Sequence, residues 1–101
     1  MRMLMELQFP LEPFNTLVKN GTAGEIIQKI LEDLKPEAAY FSERNGMRGG
    51  TFVIDVADAS KIPAVAEPFF LHFNAHLSLH PCMTPADLGS SGLDDIGKKY
   101  R

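Results

Sequence analysis

The dipeptide Asn45-Gly46 lies between two stretches of alternating residues and restricts the fold of this chain more than any other feature. Ala39 to Arg44 alternates before it, and Thr51 to Val56 alternates after it. A two-residue turn of type I′ favours Asn-Gly because both positions need a positive φ. The pattern predicts an antiparallel hairpin, and Gly49 and Gly50 indicate a bulge or a close backbone approach in its second strand.

A strand and a helix are predicted before the hairpin. Met3 to Phe9 alternates with a period of two, which is typical of a half-buried strand. Thr22-Ala23-Gly24-Glu25 has the pattern of a capping box, and Ile26 to Leu34 follows with helical spacing of apolar residues. Leu17 and Val18 are assigned only to a short preceding turn.

A second helix and a fourth strand are predicted after the hairpin. Asp58-Ala59-Ser60 opens the helix, and we expect Pro68 to kink it or to restart it as a short segment. Ala75 to Pro81 alternates and reads as a strand. Thr84-Pro85-Ala86-Asp87 has the pattern of a helix N-cap, so a short helical turn should follow it, and residues 89–101 form a C-terminal tail.

The order strand, helix, strand, strand, helix, strand predicts an α+β fold of ferredoxin-like βαββαβ type. Right-handed crossovers interleave the two halves into a four-stranded antiparallel sheet with both helices on one face. The expected strand order is fourth, first, third, second. The domain covers residues 1–88, and the tail covers residues 89–101.

Composition excludes several classes of protein. The chain is 45% hydrophobic and 23% charged, which is ordinary globular composition, and its net charge of −3 provides no basic footprint for nucleic acid. The single cysteine, Cys82, rules out an intrachain disulfide and favours a reducing compartment. No apolar run is long enough for a membrane helix, and no signal core is present at the N-terminus. A soluble cytoplasmic protein is the prediction.

The face of the sheet that the helices leave uncovered has an unusual chemistry. Its predicted residues combine titratable and hydrogen-bonding groups of both signs with one aromatic ring: Glu6, Gln8, Tyr40, Ser42, Arg44, Thr51, Asp55, His76, Ser78 and His80. An antiparallel sheet often leaves one polar face in water. The alternative is a partly enclosed, wet cavity formed where two sheets meet face to face in a homodimer.

Acid–base chemistry is the function that this face would suit. In the expected strand order, Glu6 has neighbours on both sides: Asp55 or Thr51 on one, and His76 or His80 on the other. A carboxylate beside an imidazole sets its tautomer and supports proton shuttling. Glu6, Asp55, His76 and His80 are therefore the candidate catalytic residues. Tyr40 and Arg44, or Arg48, are candidates to bind a carboxylate or enolate oxygen of a small ligand. Cross-strand pairs that only fix the register are the structural alternative.

A metal site is not predicted from the histidines. His76 and His80 lie four residues apart on one strand, about 13 Å by strand rise, which is too far for one zinc ion to bind both. His72 is expected on the preceding helix. No cofactor is predicted either.

Two neighbouring segments resemble the end of small muconolactone-isomerase-like proteins. They are Ala66-Glu67-Pro68-Phe69-Phe70-Leu71-His72-Phe73-Asn74-Ala75 and, further along, His80-Pro81-Cys82-Met83-Thr84-Pro85-Ala86-Asp87-Leu88. Muconolactone-isomerase-like proteins belong to the dimeric α/β barrel superfamily, and the element order agrees over about residues 3 to 88. The resemblance implies a homodimer whose two sheets form a barrel, with a ligand cleft either between the sheet and the helices or inside the barrel. No catalytic residue is carried over from it. A cofactor-independent, isomerase-like enzyme that transfers protons on a small carbonyl or carboxylate compound is the leading hypothesis. A non-catalytic dimeric module that binds a small ligand or serves in assembly is the alternative.

Overall fold

A computed structural model describes all 101 residues as one antiparallel sheet with helices packed on one face. Along the chain the elements are β1 (Arg2–Phe9), α1 (Leu11–Lys19), α2 (Ala23–Leu34), β2 (Ala38–Arg44), β3 (Met47–Asp55), a 3₁₀ turn (Ala59–Lys61), α3 (Ile62–Phe73), β4 (His76–Pro81), α4 (Pro85–Gly89) and α5 (Leu93–Lys99). The sheet order is β2-β3-β1-β4, with every neighbouring pair antiparallel. The predicted ferredoxin-like arrangement and its strand order are confirmed.

The β2–β3 hairpin forms as the Asn-Gly dipeptide predicts. Asn45 and Gly46 have φ of 53° and 77°, and Arg44 pairs directly with Met47 across the two-residue turn. The second strand therefore begins at Met47, four residues earlier than the alternating pattern indicated. Pairing runs without a break through positions 49 and 50, so the glycines mark a close approach and not a bulge.

The core lies between the sheet and the helices. Alternate residues of β1 point into it, and Met5, Leu7 and Phe9 are at most 1% exposed. Phe14 of α1 and Phe73 of α3 pack on Phe9, with ring centroids 5.2 and 5.3 Å from it. Burial of each such side chain contributes roughly 1.5–3 kcal/mol, so this aromatic cluster fixes both helices on the sheet.

The helix α1 was not predicted from the sequence. Glu12 has extended dihedral angles (φ −110°, ψ 142°), and helical geometry follows it. Its Oε2 accepts hydrogen bonds from the Thr16 amide (3.2 Å) and hydroxyl (2.7 Å). The hydroxyl bond is the main reason that the pKa of Glu12 is lowered. Leu17 and Val18 lie inside this helix, whose position is set by the burial of Phe14.

The predicted capping box at residues 22–25 does not form. Thr22 already has αR dihedral angles, and its side chain caps no helical amide. Instead, its amide and hydroxyl both donate to Asn20 Oδ1, at 3.1 and 2.6 Å. The tight connection after α1 brings Asn20 within reach of Thr22, so the Thr22 amide donates to Asn20 and not to Glu25, and the αR geometry of Thr22 goes with the loss of the hydroxyl cap.

The helix α3 runs through Pro68, so of the two predicted outcomes, a kink or a restart as a short segment, the restart does not occur. An interior proline costs a helix about 3 kcal/mol or more, since it removes one hydrogen bond and crowds the preceding turn. Ala66 lies before the proline and Phe69 and Phe73 after it, and all three are at most 5% exposed. Their burial on one face of the helix offsets the local cost.

The predicted N-cap at Thr84 is present as a capping box. Its hydroxyl accepts from the Asp87 amide (3.1 Å), and the Asp87 carboxylate accepts from the Thr84 amide (3.0 Å). The segment predicted as a tail, residues 89–101, is helical over α5, and every residue from 85 to 101 is exposed.

The chain is elongated, with α4 and α5 exposed along their whole length and α4 beside β1, where Asp87 Oδ2 is 4.0 Å from Arg2 Nη1. The radius of gyration is 17.0 Å and the extents are 60 × 28 × 19 Å, whereas a compact 100-residue domain has a radius near 13 Å. No helix of the chain is both long enough and apolar enough to cross a membrane.

Candidate functional site

The uncovered face of the sheet, called here the open face, carries polar side chains in cross-strand rows. The central row runs Tyr40, Thr51, Glu6, Ser78 from β2 to β4. Because the side-chain period of a strand is two, this register places all the even-numbered residues of β1 on the open face. The predicted polar face is therefore assembled as expected.

An ion pair lies at the centre of the open face. Arg44 Nη1 is 3.4 Å from Glu6 Oε2, and Arg44 Nη2 is 3.5 Å from Thr51 Oγ1. The Glu6 and Arg44 side chains are 34% and 36% exposed, so about a third of each is in contact with solvent. A guanidinium, a carboxylate and a hydroxyl thus meet on three adjacent strands.

Gly49 allows Arg44 to take this position. A Cβ built on Gly49 would lie 2.9 Å from Arg44 Cβ, 3.0 Å from the Leu7 carbonyl and 3.1 Å from the Ser42 carbonyl. No real Cβ tolerates such a set of contacts, two of which are to backbone. The close approach predicted from the glycines thus occurs beside the Arg44–Glu6 pair.

The two histidines of β4 flank Glu6 at diagonal positions. Glu6 lies opposite Ser78, while His76 lies opposite Gln8 and His80 opposite Leu4. Diagonal neighbours on one face of a sheet are about 7–8 Å apart, and both histidines are exposed. Neither histidine is hydrogen-bonded to Glu6, whose hydrogen-bond donor is Arg44.

No group of three potential metal ligands lies close enough to hold an ion. Among the histidines, His72 is on α3, behind the sheet as expected, while His76 and His80 are on the open face.

Asp55 is not brought to Glu6. It lies opposite Arg2 at the end of β3, four residues from Thr51, which is the true cross-strand partner of Glu6. Its carboxylate accepts a hydrogen bond from the Met1 amino group at 3.0 Å and is 82% exposed. Of the two alternatives for this side of Glu6, the structure selects Thr51.

Arg48 lies on the opposite side of the sheet from Arg44. The β1–β3 register pairs Arg48 with Phe9, a core residue, so the Arg48 side chain is on the helix side. There its guanidinium is 4.5 Å from the Phe14 ring centroid, and Nη1 donates to Asn15 Oδ1 at 2.8 Å. The interpretation of Arg48 as part of the polar face is therefore wrong. Its position follows from parity, once β3 is known to begin at Met47 and to run without a bulge.

Two grooves lie on the helix side of the sheet. One, of about 740 Å³, separates α2 from α3 and is lined by both apolar and charged side chains, including Ile26, Lys29, Val65 and His72. The other, of about 560 Å³, lies between α1 and the β2–β3 hairpin and includes Arg48. The resemblance implies a cleft between the sheet and the helices as one of two places. The sequence did not predict the lining residues of either groove, because both grooves depend on how the helices cross the sheet.

No protein-family model matches this chain, and no curated protein sequence matches it either. Among solved structures it is similar to 5-chloro-2-hydroxyhydroquinone dehydrochlorinase (TftG) from Burkholderia phenoliruptrix AC1100, in complex with 2,5-dihydroxybenzoquinone. The TM-score is 0.59 at 15% sequence identity, over 85% of this chain and 97% of that one. At this identity the likeness shows a shared fold. The more specific resemblance to muconolactone isomerase stays a prediction.

Proposed function

We propose that the protein is a cofactor-independent enzyme that transfers a proton on a small carbonyl or carboxylate compound bound at the open face. The observation that carries the proposal is the Glu6–Arg44–Thr51 cluster on three adjacent strands, with a histidine diagonal to Glu6 on either side. This cluster combines a base, an anion-binding group and proton donors within one side-chain layer.

The ion pair gives the cluster a defined order of events. An anionic substrate oxygen competes with Glu6 for the Arg44 guanidinium, which can bind two oxygens side by side. Glu6 is then free to take a proton from the carbon beside the carbonyl, and the negative charge that develops on the carbonyl oxygen stays beside Arg44. A protonated His76 or His80 returns a proton at a second carbon, so the reaction leaves the proton count of substrate plus enzyme unchanged.

Tyr40 is the second proposed contact to the substrate, and Asp55 is not part of the proposed centre. Tyr40 is in the same row as Glu6 and its side chain is 71% exposed, so its hydroxyl is free to donate to a bound oxygen. Asp55 lies at the sheet end, beside the Met1 amino group.

A homodimer formed through the open face would enclose the site. Leu4 and Val53 are apolar residues paired directly across β1 and β3 on this face, and both are only half-buried in one protomer. A second copy that covers them removes apolar surface from water and lowers the local dielectric around Glu6 and Arg44, which strengthens their electrostatic interactions. The cytoplasmic location predicted from the single cysteine remains a prediction.

The structurally similar dehydrochlorinase is named for a small hydroxylated aromatic compound and holds a dihydroxybenzoquinone. That compound carries carbonyl and acidic hydroxyl groups on one ring, which is the ligand chemistry proposed for this chain. The similarity supports a small, oxygen-rich substrate and leaves its identity to experiment.

The test uses three probes with acidic carbon or enol protons: the enol of phenylpyruvate, oxaloacetate and 2,5-dihydroxybenzoquinone. Enol loss is followed by ultraviolet absorbance, and carbon-bound hydrogen exchange in D₂O by proton NMR. We expect acceleration over buffer by the wild-type protein and a loss of about 10²-fold or more in Glu6→Gln. Glu67→Gln, an exposed carboxylate on α3, is the matched control. Equal rates for wild type and Glu6→Gln contradict the proposal.

The Arg44–Glu6 contact also favours a second candidate, a dimeric ligand-binding or assembly module without turnover. A cross-strand ion pair by itself fixes strand register and needs no substrate. This candidate predicts that the wild-type protein accelerates none of the three probes. It also predicts that Glu6→Gln lowers stability without removing any activity.

A further inference from the structure

We infer that the groove between α1 and the β2–β3 hairpin, called here the hairpin groove, binds a small aromatic anion. Its volume is about 560 Å³, within the range of small-molecule sites. Its apolar lining comes from Phe9, Phe14, Phe41 and Met47, and its charged lining from Arg48 and Glu43. The groove lies on the opposite side of the sheet from Glu6 and Arg44, so this inference does not rest on the proposed function.

The aromatic lining is preorganised. Phe9 and Phe14 meet edge to face, with ring centroids 5.2 Å apart and an interplanar angle of 69°. Phe41 is held edge-on against the buried Phe52, with centroids 5.4 Å apart, yet 53% of Phe41 remains exposed. A large aromatic side chain that is fixed on one side and open to solvent on the other offers a stacking surface for a flat ligand.

Arg48 has its charge available for a ligand. It makes no ion pair within 4.0 Å, and its one hydrogen bond to a side chain goes to the neutral amide oxygen of Asn15 at 2.8 Å. The Asn15 contact and the Phe14 ring, 4.5 Å from the guanidinium carbon, fix its orientation. A guanidinium that is positioned but unpaired retains donors for a carboxylate or phenolate oxygen.

Two carboxylates lie near this arginine, and both already accept hydrogen bonds from other groups. Glu43 is opposite Arg48 in the hairpin, but its Oε2 accepts from the Gly46 amide at 2.8 Å. Glu12 is bound to the amide and hydroxyl of Thr16. After the hydrogen bond from the Thr16 hydroxyl, Arg48 also contributes to the lowered pKa of Glu12, and Glu43 also lines the groove. Neither carboxylate forms an ion pair with Arg48, so the guanidinium keeps hydrogen-bond donors for an external anion.

The ligand class follows from the lining and the charge. A single ring with one carboxylate, such as benzoate, places its anion at Arg48 and its ring against Phe41. An uncharged ring lacks the first contact, and a non-aromatic acid lacks the stacking. Affinity should therefore depend on both the charge and the aromatic ring of the ligand.

The test is a titration of the ¹⁵N-labelled protein with benzoate, followed by amide chemical shifts. We expect saturable shifts that centre on the hairpin turn and on α1, and weaker binding of benzyl alcohol and of cyclohexanecarboxylate. Arg48→Gln should raise the dissociation constant for benzoate at least tenfold. Arg101→Gln removes the same charge at an exposed position outside the groove and should change the dissociation constant less than twofold.

Three results would overturn the inference: no shifts in the hairpin groove at millimolar benzoate, equal affinity in Arg48→Gln and wild type, or shifts confined to the open face. The last result would place the ligand at the proposed catalytic centre instead. If Arg48→Gln does not fold, Arg48→Lys retains the charge but loses the planar fork, and its affinity should fall by a smaller factor. Unchanged affinity in the lysine variant together with unchanged affinity in Phe41→Leu would equally refute the site.

Discussion

Replacing Gly49 with alanine tests how the open face is built. The new methyl group would lie 2.9 Å from Arg44 Cβ and 3.0 and 3.1 Å from two backbone carbonyl oxygens, those of Leu7 and Ser42. A side chain can rotate away, but the carbonyls belong to the ladders on both sides of β3. The overlap must therefore be relieved by separating strands in the middle of the sheet.

The expected cost is about 1–3 kcal/mol, the usual range for overpacking a well-packed site. For a domain of this size, 1 kcal/mol corresponds to roughly 4–8 °C in Tm, so a central value near 2 kcal/mol predicts a decrease of about 8–16 °C. Thermal denaturation followed by circular dichroism at one fixed protein concentration measures it.

Gly24→Ala is the matched control for Gly49→Ala. Gly24 lies in α2, where an added Cβ meets nothing within 4 Å, so alanine should leave stability unchanged or raise it by up to about 1 kcal/mol. A Gly49→Ala variant as stable as wild type would refute the claim that this position has no room for a side chain.

Two further predictions concern the core and the C-terminal helices. Phe73→Ala removes a ring that is 0% exposed and should lower the free energy of unfolding by about 3–5 kcal/mol, measured by denaturant unfolding. Phe70→Ala, at a 38% exposed position, should lower it much less. Similar losses of stability in both variants would contradict the assigned core. The hydrogen bond from the Thr84 amide is the main reason that the pKa of Asp87 is lowered, and the contact with the Thr84 hydroxyl is the second. The capping box therefore stabilises α4 fully at pH values above the unfolded-state pKa of Asp87. This stabilisation is lost as the pH falls through the folded-state pKa. Carboxyl ¹³C shifts should show Asp87 titrating below the ordinary aspartate range, and titration in that ordinary range would contradict the cap.

Local signals in the sequence predicted the fold where one short segment determines its own geometry. The two-residue turn requires two positive φ values, which Asn45-Gly46 supplies. The capping box at Thr84 depends on four consecutive residues. The strand order follows from the element order and right-handed crossovers. These features needed no knowledge of tertiary packing.

Tertiary packing decided the elements that were predicted wrongly. Pro68 stays inside α3 because Phe69 and Phe73 are buried after it. α1 exists because Phe14 packs on the core, a contact that hydrophobic periodicity did not reveal in a segment containing two prolines. Thr22 does not cap α2. Its amide and hydroxyl donate to Asn20, a residue whose position is set by α1.

The candidate site was predictable as a face but not as a set of contacts. Alternation placed Glu6, Arg44 and the histidines of β4 on one side of the sheet. Which groups meet depended on the register, which selects Thr51 over Asp55, and on Gly49, which lets Arg44 reach Glu6. The side on which Arg48 lies depended on whether a bulge interrupts β3 at Gly49 and Gly50, since a shift of one residue exchanges the two faces.

The measurement that tests the account most directly is native mass spectrometry of the wild-type protein and of Leu4→Glu at micromolar concentration. Pairing of two open faces predicts twice the protomer mass of 11.2 kDa for wild type. For Leu4→Glu it predicts the mass of a single protomer. Leu4 lies beside its cross-strand neighbour Val53 on the open face, so pairing of two open faces would bury the new charge. A monomeric wild type would contradict the enclosed site, and a dimer that persists in Leu4→Glu would show that the open face is not the surface that pairs.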